Sequence, residues 1–282
     1  GAGFVGTNLI KRLLNDGHEV ISFDNYSTGF RENEQEGCKY ILCDVSHQPY
    51  FKGKKMDDVI NGVDVIFHLA ALARIQPSIN NPTDTIVNNF NSTLNILECA
   101  RKYEIPVIYA GSSSKHHGLY GSPYAWSKYG GEELCKLYSE VYGLNTTICR
   151  FYNVYGPNHI RTGTYATVIG IFENQYMKKE PLTIVGDGKQ RRDFTHIDDI
   201  VDGLIKCVGK NHKGDIFELG SGVNYSINEV AHMFNCDKTY IAARPGEYDV
   251  TLCDYSQAQK DLDYNPKRNL EEYVTNWIKD LK

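Results

Sequence analysis

The sequence has 282 residues, of which 41% are hydrophobic and 23% are charged, an ordinary composition for one globular domain or for one domain with an appendage. Its formal net charge of −5 argues against a general nucleic-acid binder, because such proteins neutralise phosphates with basic patches. The longest apolar run, residues 63–73, is interrupted by Asp64 and His68 and is far shorter than the roughly 20 residues of a membrane span, so no membrane partner is expected either.

Apolar strand-like runs alternate with helical patterns over residues 1–151. The predicted strands are His18–Phe23, Lys39–Cys43, Asp64–Leu69, Val107–Ala110 and Thr146–Phe151. The predicted helices are Phe4–Asp16, Thr83–Tyr103 and Ser122–Tyr142. This alternation is typical of βαβ units, so we predict an α/β domain with a doubly wound parallel sheet. A strand normally precedes a glycine motif such as the one at residue 1, and we expect that first strand to be missing from this chain.

Residues 152–282 show shorter and more irregular elements. The predicted strands are Leu182–Val185 and Ile216–Leu219, and the predicted helices are Tyr165–Lys178, Ile197–Gly209, Ile227–Phe234 and Leu270–Leu281. We interpret this part as a smaller α/β lobe for the substrate, with some segments returning to the first domain. No linker, repeat or low-complexity tract marks the boundary.

Eight cysteines are scattered along the chain without a CxxC pair and without histidines at metal-ligand spacing. Neither a metal site nor a disulfide framework is therefore predicted. Several cysteines stand in apolar stretches, as Cys149 does, where a free thiol behaves as a small hydrophobic residue. Such thiols are typical of a reducing compartment, and we expect a cytoplasmic protein.

A glycine-rich turn, Gly1-x-Gly3-x-x-Gly6, leads directly into the first predicted helix. Glycines there let the backbone approach a pyrophosphate, which the helix N-terminus stabilises, although a motif of this kind alone can be a simple turn. The next strand is followed by Asp24, at about the spacing at which a carboxylate binds the adenosine ribose and repels a 2′-phosphate. We predict NAD rather than NADP, while a plain turn of Asp24 with Asn25 stays the alternative. The further predicted cofactor contacts are Phe4, Val5, Asn25, Asp44, Val45, Leu69, Ala70, Ala71, Asn89, Tyr124 and Lys128.

The segment Tyr124-Ala-Trp-Ser-Lys128 places a phenol and an ammonium four residues apart, on one face of a predicted helix. A nearby ammonium lowers the pKa of a phenol, so the tyrosine could act as a general acid or base. The serines Ser112–Ser114 stand close to the end of a predicted strand, where a hydroxyl could bind the same substrate oxygen. A surface Tyr–Lys pair and turn-forming serines are the alternative interpretation.

The glycine turn, the aspartate, the serines and the Tyr-x-x-x-Lys pair, in this order, resemble the short-chain dehydrogenase/reductase family over nearly the whole chain. The resemblance is closest to its extended branch, particularly to NAD-dependent UDP-glucose 4-epimerases and related nucleotide-sugar enzymes. The segments that carry it are residues 1–6, 68–71, 88–89, 112–114, 122–128, 150–157, 192–194 and 244–247. It implies a Rossmann-type sheet and a homodimer formed through the helices Thr83–Tyr103 and Ser122–Tyr142.

The same resemblance implies roles for individual residues. Tyr124 would be the acid/base, Lys128 would orient the nicotinamide ribose, and Ser114 would assist and contact the substrate. Contacts to the nucleotide sugar are implied for Asn153, Arg192, Arg244 and Glu247, and guanidinium groups suit phosphates because they bind them bidentately. The implied reaction is 4-epimerisation of a UDP-sugar through a transient 4-keto intermediate.

Two departures from the family bear on the reaction. Lys115, His116 and His117 stand where the family often has a small residue followed by Val-Tyr-Gly, so the loop over the substrate is expected to be short. Related sugar dehydratases carry Asp-Glu at that place, which counts against dehydration here. A decarboxylase and a non-catalytic NAD-binding protein stay open. Thr251 stands near the position of a bulky tyrosine in hexose-restricted epimerases, which would leave room for a 2-acetamido group.

Overall fold

The computed structural model describes residues 1–47, 59–244, 246 and 248–281. The chain forms two compact units, the first made of Gly1–Arg150 with Leu204–Phe217 and the second of Phe151–Gly203 with Glu218–Lys282. The helices are α1 Phe4–Asn15, α2 Ile75–Asn80, α3 Pro82–Tyr103, α4 Pro123–Tyr142, α5 Val168–Met177, α6 Ile197–Lys206, α7 Ile227–Met233, α8 Ser256–Leu262 and α9 Leu270–Asp280. The strands are β1 Val20–Asp24, β2 Cys38–Leu42, β3 Ile66–His68, β4 Val107–Ser112, β5 Thr146–Phe151, β6 Val154–Tyr155, β7 Leu182–Val185, β8 Arg191–Asp193, β9 Thr195–His196, β10 Asp215–Leu219, β11 Asn224–Ser226 and β12 Lys238–Ile241.

Parallel strands with packed helices build the first unit. Strands β1 and β2 pair in parallel, and a second sheet has the order β10-β5-β4-β3, in which β3 and β4 are parallel. Helices α3 and α4 pack against each other, and α4 packs against β4. Their buried apolar side chains include Ile96, Leu97, Val107, Tyr109, Cys135, Tyr138 and Ile148. This arrangement confirms the predicted α/β class with parallel sheets.

Helix α4 begins and ends at residues that favour helix termini. The Ser122 hydroxyl accepts a hydrogen bond from the Ala125 amide at 3.1 Å, and Pro123 occupies the first turn. Gly143 ends the helix with a φ of +68°, the left-handed conformation that glycine adopts most easily. The neighbouring strand β4 is buried at all six positions, as a central parallel strand should be. The residues at both ends therefore set the bounds of helix α4, and with them the positions of its side chains.

In the described part of the second unit, the strands form two-stranded pairings. Strands β7 and β12 are parallel, β6 and β9 are parallel, and β8 and β11 are antiparallel. Helix α7 begins with a reciprocal cap, in which Ser226 and Glu229 each bind the backbone of the other. The core of this unit is built from Tyr155, Ile169, Phe172, Leu182, Ile184, Phe194, Val230, Phe234 and Val274.

Several predicted boundaries need correction. The helix predicted from Tyr165 begins only at Val168, because the Thr167 hydroxyl accepts the Gly170 amide at 3.0 Å and caps it. The strand predicted to end at Ala110 continues to Ser112. Some elements are too short for their apolar periodicity to be recognised from the sequence. They are helices α2 and α8 and strands β8, β11 and β12. Among the described residues, no helix combines the length and apolarity needed to cross a bilayer.

Candidate active site

The glycine turn shapes the start of helix α1. Gly3 has extended backbone angles, the helix begins without a side-chain cap, and its first turn carries no acidic residue. A Cβ on Gly6 would lie 2.6 Å from the Gly1 carbonyl oxygen, so only glycine fits there. A Cβ on Gly3 would meet no atom within 4 Å in the part of the chain that the structure describes. An uncapped helix start beside an open glycine suits a pyrophosphate.

Acidic side chains line the ends of strands β1 and β2. The Asp24 carboxylate accepts the Ala2 amide at 2.8 Å and the Tyr26 amide at 2.7 Å, which ties the glycine turn to the end of β1. Asn25 donates to Asp44 at 3.0 Å, so these two predicted cofactor contacts lie together beside Asp24. The side chain of Val45, another predicted contact, packs into the core, and its carbonyl oxygen accepts a hydrogen bond from the Asn95 side-chain amide at 2.7 Å.

The predicted contact Asn89 is buried, and its amide is engaged inside the protein. Its oxygen accepts the Leu72 amide at 2.7 Å, and its nitrogen donates to the Leu72 carbonyl oxygen at 3.2 Å and to the Ser127 hydroxyl at 2.9 Å. Asn89 therefore holds the segment after β3, which includes Ala70 and Ala71, against helix α4. Its neighbour Asn88 instead donates to Ser46, beside Asp44, at 3.4 Å.

A chain of hydroxyls joins the predicted acid/base residue to the end of β4. Tyr124 donates to the Ser112 hydroxyl at 3.4 Å, and the Ser112 and Ser114 hydroxyls are 2.9 Å apart. Ser114 was the predicted partner, and the structure adds Ser112 as the serine that contacts Tyr124. The run of three serines was the available signal, but it could not show which hydroxyl faces the phenol.

Lys128 lies one helical turn after Tyr124 and is only 4% exposed. Its ammonium is 4.3 Å from the centroid of the Tyr109 ring, and Tyr109 in turn donates to the Lys128 carbonyl oxygen at 3.2 Å. Burial lowers the pKa of Lys128 to about 8, against the opposing charge of Glu132. A buried amine that titrates near neutral pH is a common feature of catalytic sites.

The expected lowering of the Tyr124 pKa is not found in the protein without ligands. Burial raises the pKa of the phenol, and the hydrogen bond with Ser112 and the charge of Arg74 oppose this only in part. The reason is geometric, since the Lys128 ammonium lies over Tyr109. Sequence spacing placed the two groups on one face but could not show where the ammonium ends.

The segment after the serines is a single turn of 3-10 helix, Ser113–His117, which ends at Gly118 with a φ of +107°. Lys115 places its ammonium 5.0 Å from the centroid of the Tyr129 ring, on helix α4. His116 is exposed, and nothing is described for the side chain of His117. The short loop that the sequence predicted is therefore present, with its lysine held along α4.

In the second unit, the predicted substrate residues differ in exposure. Asn153 donates to the Asp193 carbonyl oxygen at 2.9 Å and to the Thr251 hydroxyl at 3.2 Å. Arg192 is buried and donates to the Arg191 carbonyl oxygen at 2.9 Å. Arg244 is exposed, and Glu247 lies outside the described residues.

Asp193 organises the segments around these residues. Its buried carboxylate accepts the amides of Ser221 and Gly222 at 2.9 Å and of Cys253 at 3.0 Å. Its own amide donates to the Thr251 hydroxyl at 2.9 Å. Sequence analysis treated this aspartate only as part of a motif, although a carboxylate with three amide donors fixes the backbone on both sides of it.

The pattern that defines the NAD dependent epimerase/dehydratase family matches residues 1–220. The chain belongs to this family. As members of it are NAD-dependent enzymes, the predictions of an enzyme and of NAD as its cofactor are confirmed, and so is the resemblance to nucleotide-sugar epimerases.

Two relatives and a solved structure show which enzymes of the family this chain is similar to. A UDP-glucuronate 4-epimerase of Thermodesulfobacterium geofontis is 31% identical, covering 99% of this chain and 94% of that one. A UDP-N-acetyl-alpha-D-glucosaminuronate decarboxylase of Bacillus cytotoxicus is 34% identical, covering 82% and 76%. The structure of UDP-glucose 4-epimerase with UDP-glucose from Thermotoga maritima superposes with a TM-score of 0.90 at 26% identity, covering 100% and 98%. Its likeness supports the predicted Rossmann-type fold.

For this family member, Gly3→Ala is expected to weaken NAD binding at least tenfold without unfolding the protein. The added methyl meets no described atom, but it occupies the space through which a pyrophosphate approaches the helix start. Calorimetric titration with NAD measures the affinity, and thermal melting measures the stability. Gly6→Ala is the matched comparison and should lose stability as well, because its Cβ lies 2.6 Å from a backbone oxygen. If Gly3→Ala binds NAD with unchanged affinity, the glycine turn is not part of the cofactor site.

Proposed function

We propose that this protein catalyses NAD-dependent 4-epimerisation of a UDP-sugar through a transient 4-keto intermediate. The observation that carries the proposal is the chain of hydroxyls from Tyr124 through Ser112 to Ser114, next to the buried Lys128. A phenol with a hydroxyl partner and an adjacent ammonium can take a proton from a sugar hydroxyl and return it. The 4-epimerases among the relatives support the choice of reaction.

In this mechanism, Tyr124 in its phenolate form removes the proton of the C4 hydroxyl as the C4–H bond breaks. NAD, which the glycine turn and Asp24 would hold, would supply the acceptor for the hydride of C4 and the source of its return to the opposite face. Tyr124 then gives its proton back to the new C4 oxygen, so the protein and its cofactor end unchanged. The serine hydroxyls hold the sugar oxygen during both steps. The Lys128 ammonium lies over Tyr109 in the protein by itself, and it would favour the phenolate by turning toward Tyr124 when cofactor and sugar bind.

Individual residues are proposed to contact the cofactor and the substrate. The open glycine turn and the carboxylates of Asp24 and Asp44 fit the pyrophosphate and the adenosine end of NAD. In the second unit, Arg192 and Arg244 supply the positive charge that a nucleotide diphosphate needs, and Asn153 a neutral donor. Glu247 stays a proposed contact to the nucleotide sugar. The small side chain of Thr251 supports acceptance of a 2-acetamido sugar.

Decarboxylation is the second candidate, because the Bacillus cytotoxicus relative is a decarboxylase. The segment after the serines offers Lys115, His116 and His117 and no carboxylate, which disfavours dehydration. The ammonium of Lys115 rests on Tyr129 along helix α4, so it is not aimed along the hydroxyl chain. Epimerisation needs only the Tyr124 set and is therefore preferred.

Incubation with NAD and, separately, UDP-glucose, UDP-N-acetylglucosamine and UDP-glucuronate tests the proposal. Proton NMR identifies the products. The C4 epimer of any one sugar is the expected result and names the substrate. A UDP-pentose from UDP-glucuronate would replace epimerisation by decarboxylation, and a 4-keto-6-deoxy sugar would replace it by dehydration. NAD bound without turnover of any of the three would contradict the proposal and favour a binding protein.

The proposed setting is a cytoplasmic homodimer. All eight cysteines, each within the described residues, are free thiols, as expected in a reducing compartment. On helices α3 and α4, Val87, Trp126, Leu137 and Val141 expose between 39% and 61% of their surface. Apolar side chains repeated along two adjacent helices suit a contact with the same helices of a second copy.

Val141→Glu is expected to shift the protein from dimer to monomer, because it places a charge in the proposed helix contact. Light scattering at micromolar concentration measures the mass. The control is Val208→Glu, since Val208 is also exposed, at 41% against 61% for Val141, and lies on neither helix. A wild-type protein that is already monomeric would refute the dimer.

A further inference from the structure

A buried ion pair lies beside the proposed acid/base residues. Glu132 follows Tyr124 and Lys128 at the next four-residue step of helix α4, so all three share one face. Its carboxylate accepts two hydrogen bonds from Arg150 of strand β5, from Nε at 3.0 Å and from the terminal nitrogen at 2.6 Å. Glu132 is 0% exposed and Arg150 is 4% exposed. Two-point contacts of this kind hold both side chains in a defined orientation.

The pair crosses strand β4 next to the serines. A Cβ built on Gly111 would lie 2.8 Å from a Glu132 carboxylate oxygen and 3.0 Å from the Arg150 Cγ. The strand therefore needs glycine at this position to let the ion pair pass, one residue before Ser112. Gly131 also allows a close approach of the helix to the strand, since a Cβ built on it would lie 2.2 Å from the Tyr109 hydroxyl. Helix α4 is thus held against β4 at the level of the hydroxyl chain.

We propose that the buried Glu132–Arg150 ion pair is a positioning unit for Tyr124 and Lys128, which holds helix α4 at the Ser112 end of strand β4 and sets the charge around the Lys128 ammonium. The proposal rests on the proposed function. It gives a reason for a buried pair whose desolvation makes it a poor source of stability compared with apolar side chains. Glu132 and Arg150 touch no reacting atom in this scheme and act through Tyr124 and Lys128.

The titratable groups near Lys128 lie on its own helix and on the strands beside it. They are Glu132 and Cys135 on its own helix, His68 on β3 and Tyr109 on β4, with Arg150 of β5 paired to Glu132. Glu132 raises the pKa of Lys128 against the larger effect of burial, and it also raises the pKa of Tyr124. His68 is buried, which lowers its pKa to about 3, so it stays neutral at working pH. The Glu132 carboxylate is therefore a negative charge that acts on both groups in addition to their burial.

The test compares Glu132→Gln with the wild type and with Glu133→Gln. Glu133 is the next residue of the same helix, but its carboxylate is exposed and pairs with Lys136, so it is a matched control. Because Glu132→Gln removes the negative charge that faces Arg150, the double variant Glu132→Gln/Arg150→Met is made as well. For each protein, kcat is measured against pH with the UDP-sugar that the wild type converts, and NAD affinity is measured against pH.

Removal of the Glu132 charge should lower the pKa of both Lys128 and Tyr124. Both limbs of the kcat profile should move to lower pH by about one unit, which is about a tenfold loss of rate on the basic limb. The double variant should move the limbs in the same direction but less far, because it also removes the Arg150 charge, and Glu133→Gln should match the wild type. A loss of kcat that is the same at every pH, with both limbs at their wild-type pH, would show that the pair serves only packing and would overturn the proposal.

NAD affinity separates this proposal from the proposed function. If the wild type converts no UDP-sugar, the proposed function fails, and the pH dependence of NAD binding still decides the role of the pair. Affinity should then weaken as Lys128 loses its proton, and it should weaken at lower pH in Glu132→Gln and in the double variant. Identical profiles in all proteins would overturn the positioning role.

Discussion

Replacing Tyr124 with phenylalanine is expected to lower kcat about 1,000-fold, while NAD affinity and thermal stability stay near those of the wild type. The phenol is the group in the proposed mechanism that removes and returns the C4 proton. Its hydroxyl makes one long hydrogen bond of 3.4 Å, to Ser112, so its loss has little effect on folding. The rate is measured by NMR with the converted UDP-sugar, and the affinity by calorimetry with NAD.

The matched control is Tyr142→Phe, on the same helix, where the ring is half exposed. It should leave kcat within about twofold of the wild type, because surface substitutions of this size have small effects. Retention of more than a tenth of the activity in Tyr124→Phe would assign the proton transfer to another group. The exposed His116 would then be the next residue to replace.

The second large effect concerns Lys128 and pH. Burial lowers the pKa of Lys128 to about 8, so the ammonium is present below that pH and is lost as the pH rises through it. Because the charged form favours the phenolate of Tyr124, kcat is expected to fall above about pH 8. Lys128→Met should lower kcat roughly 100-fold and abolish this basic limb, which a kcat profile from pH 6 to pH 10 would show.

Lys136→Met provides the control for this experiment. Lys136 lies two turns further along the same helix, partly exposed and paired with Glu133, so its replacement should leave the profile unchanged. A Lys128→Met enzyme that keeps the basic limb of the wild type would show that another group controls it. Tyr124 would then have to reach its phenolate form without help from the ammonium.

Local spacing explains why much of the site could be predicted. Gly3 and Gly6 are recognisable because a turn into a helix needs them within a few residues of each other. Tyr124 and Lys128 are recognisable because a four-residue spacing puts both on one helix face. The alternation of apolar runs likewise predicted the parallel α/β class, since each element carries its own period. None of these inferences requires a contact between distant parts of the chain.

The remaining features depend on such contacts. Which of the three serines meets Tyr124 follows from the extension of β4 to Ser112, and the inward amide of Asn89 follows from Leu72 and Ser127. Sequence spacing could not reveal these contacts, because residues far apart in the chain make them.

By itself the sequence determined the fold class, the family and the cofactor, together with the identity of the proposed acid/base residues, because these depend on local patterns of residue type. Only the tertiary structure decided how those residues are charged and held. Burial of Lys128, the ammonium over Tyr109 and the crossing of Glu132 and Arg150 beside Gly111 all arise from packing between helix α4 and its strands. Desolvation and Coulomb interactions act over distances set by that packing, and residue order along the chain does not encode those distances directly.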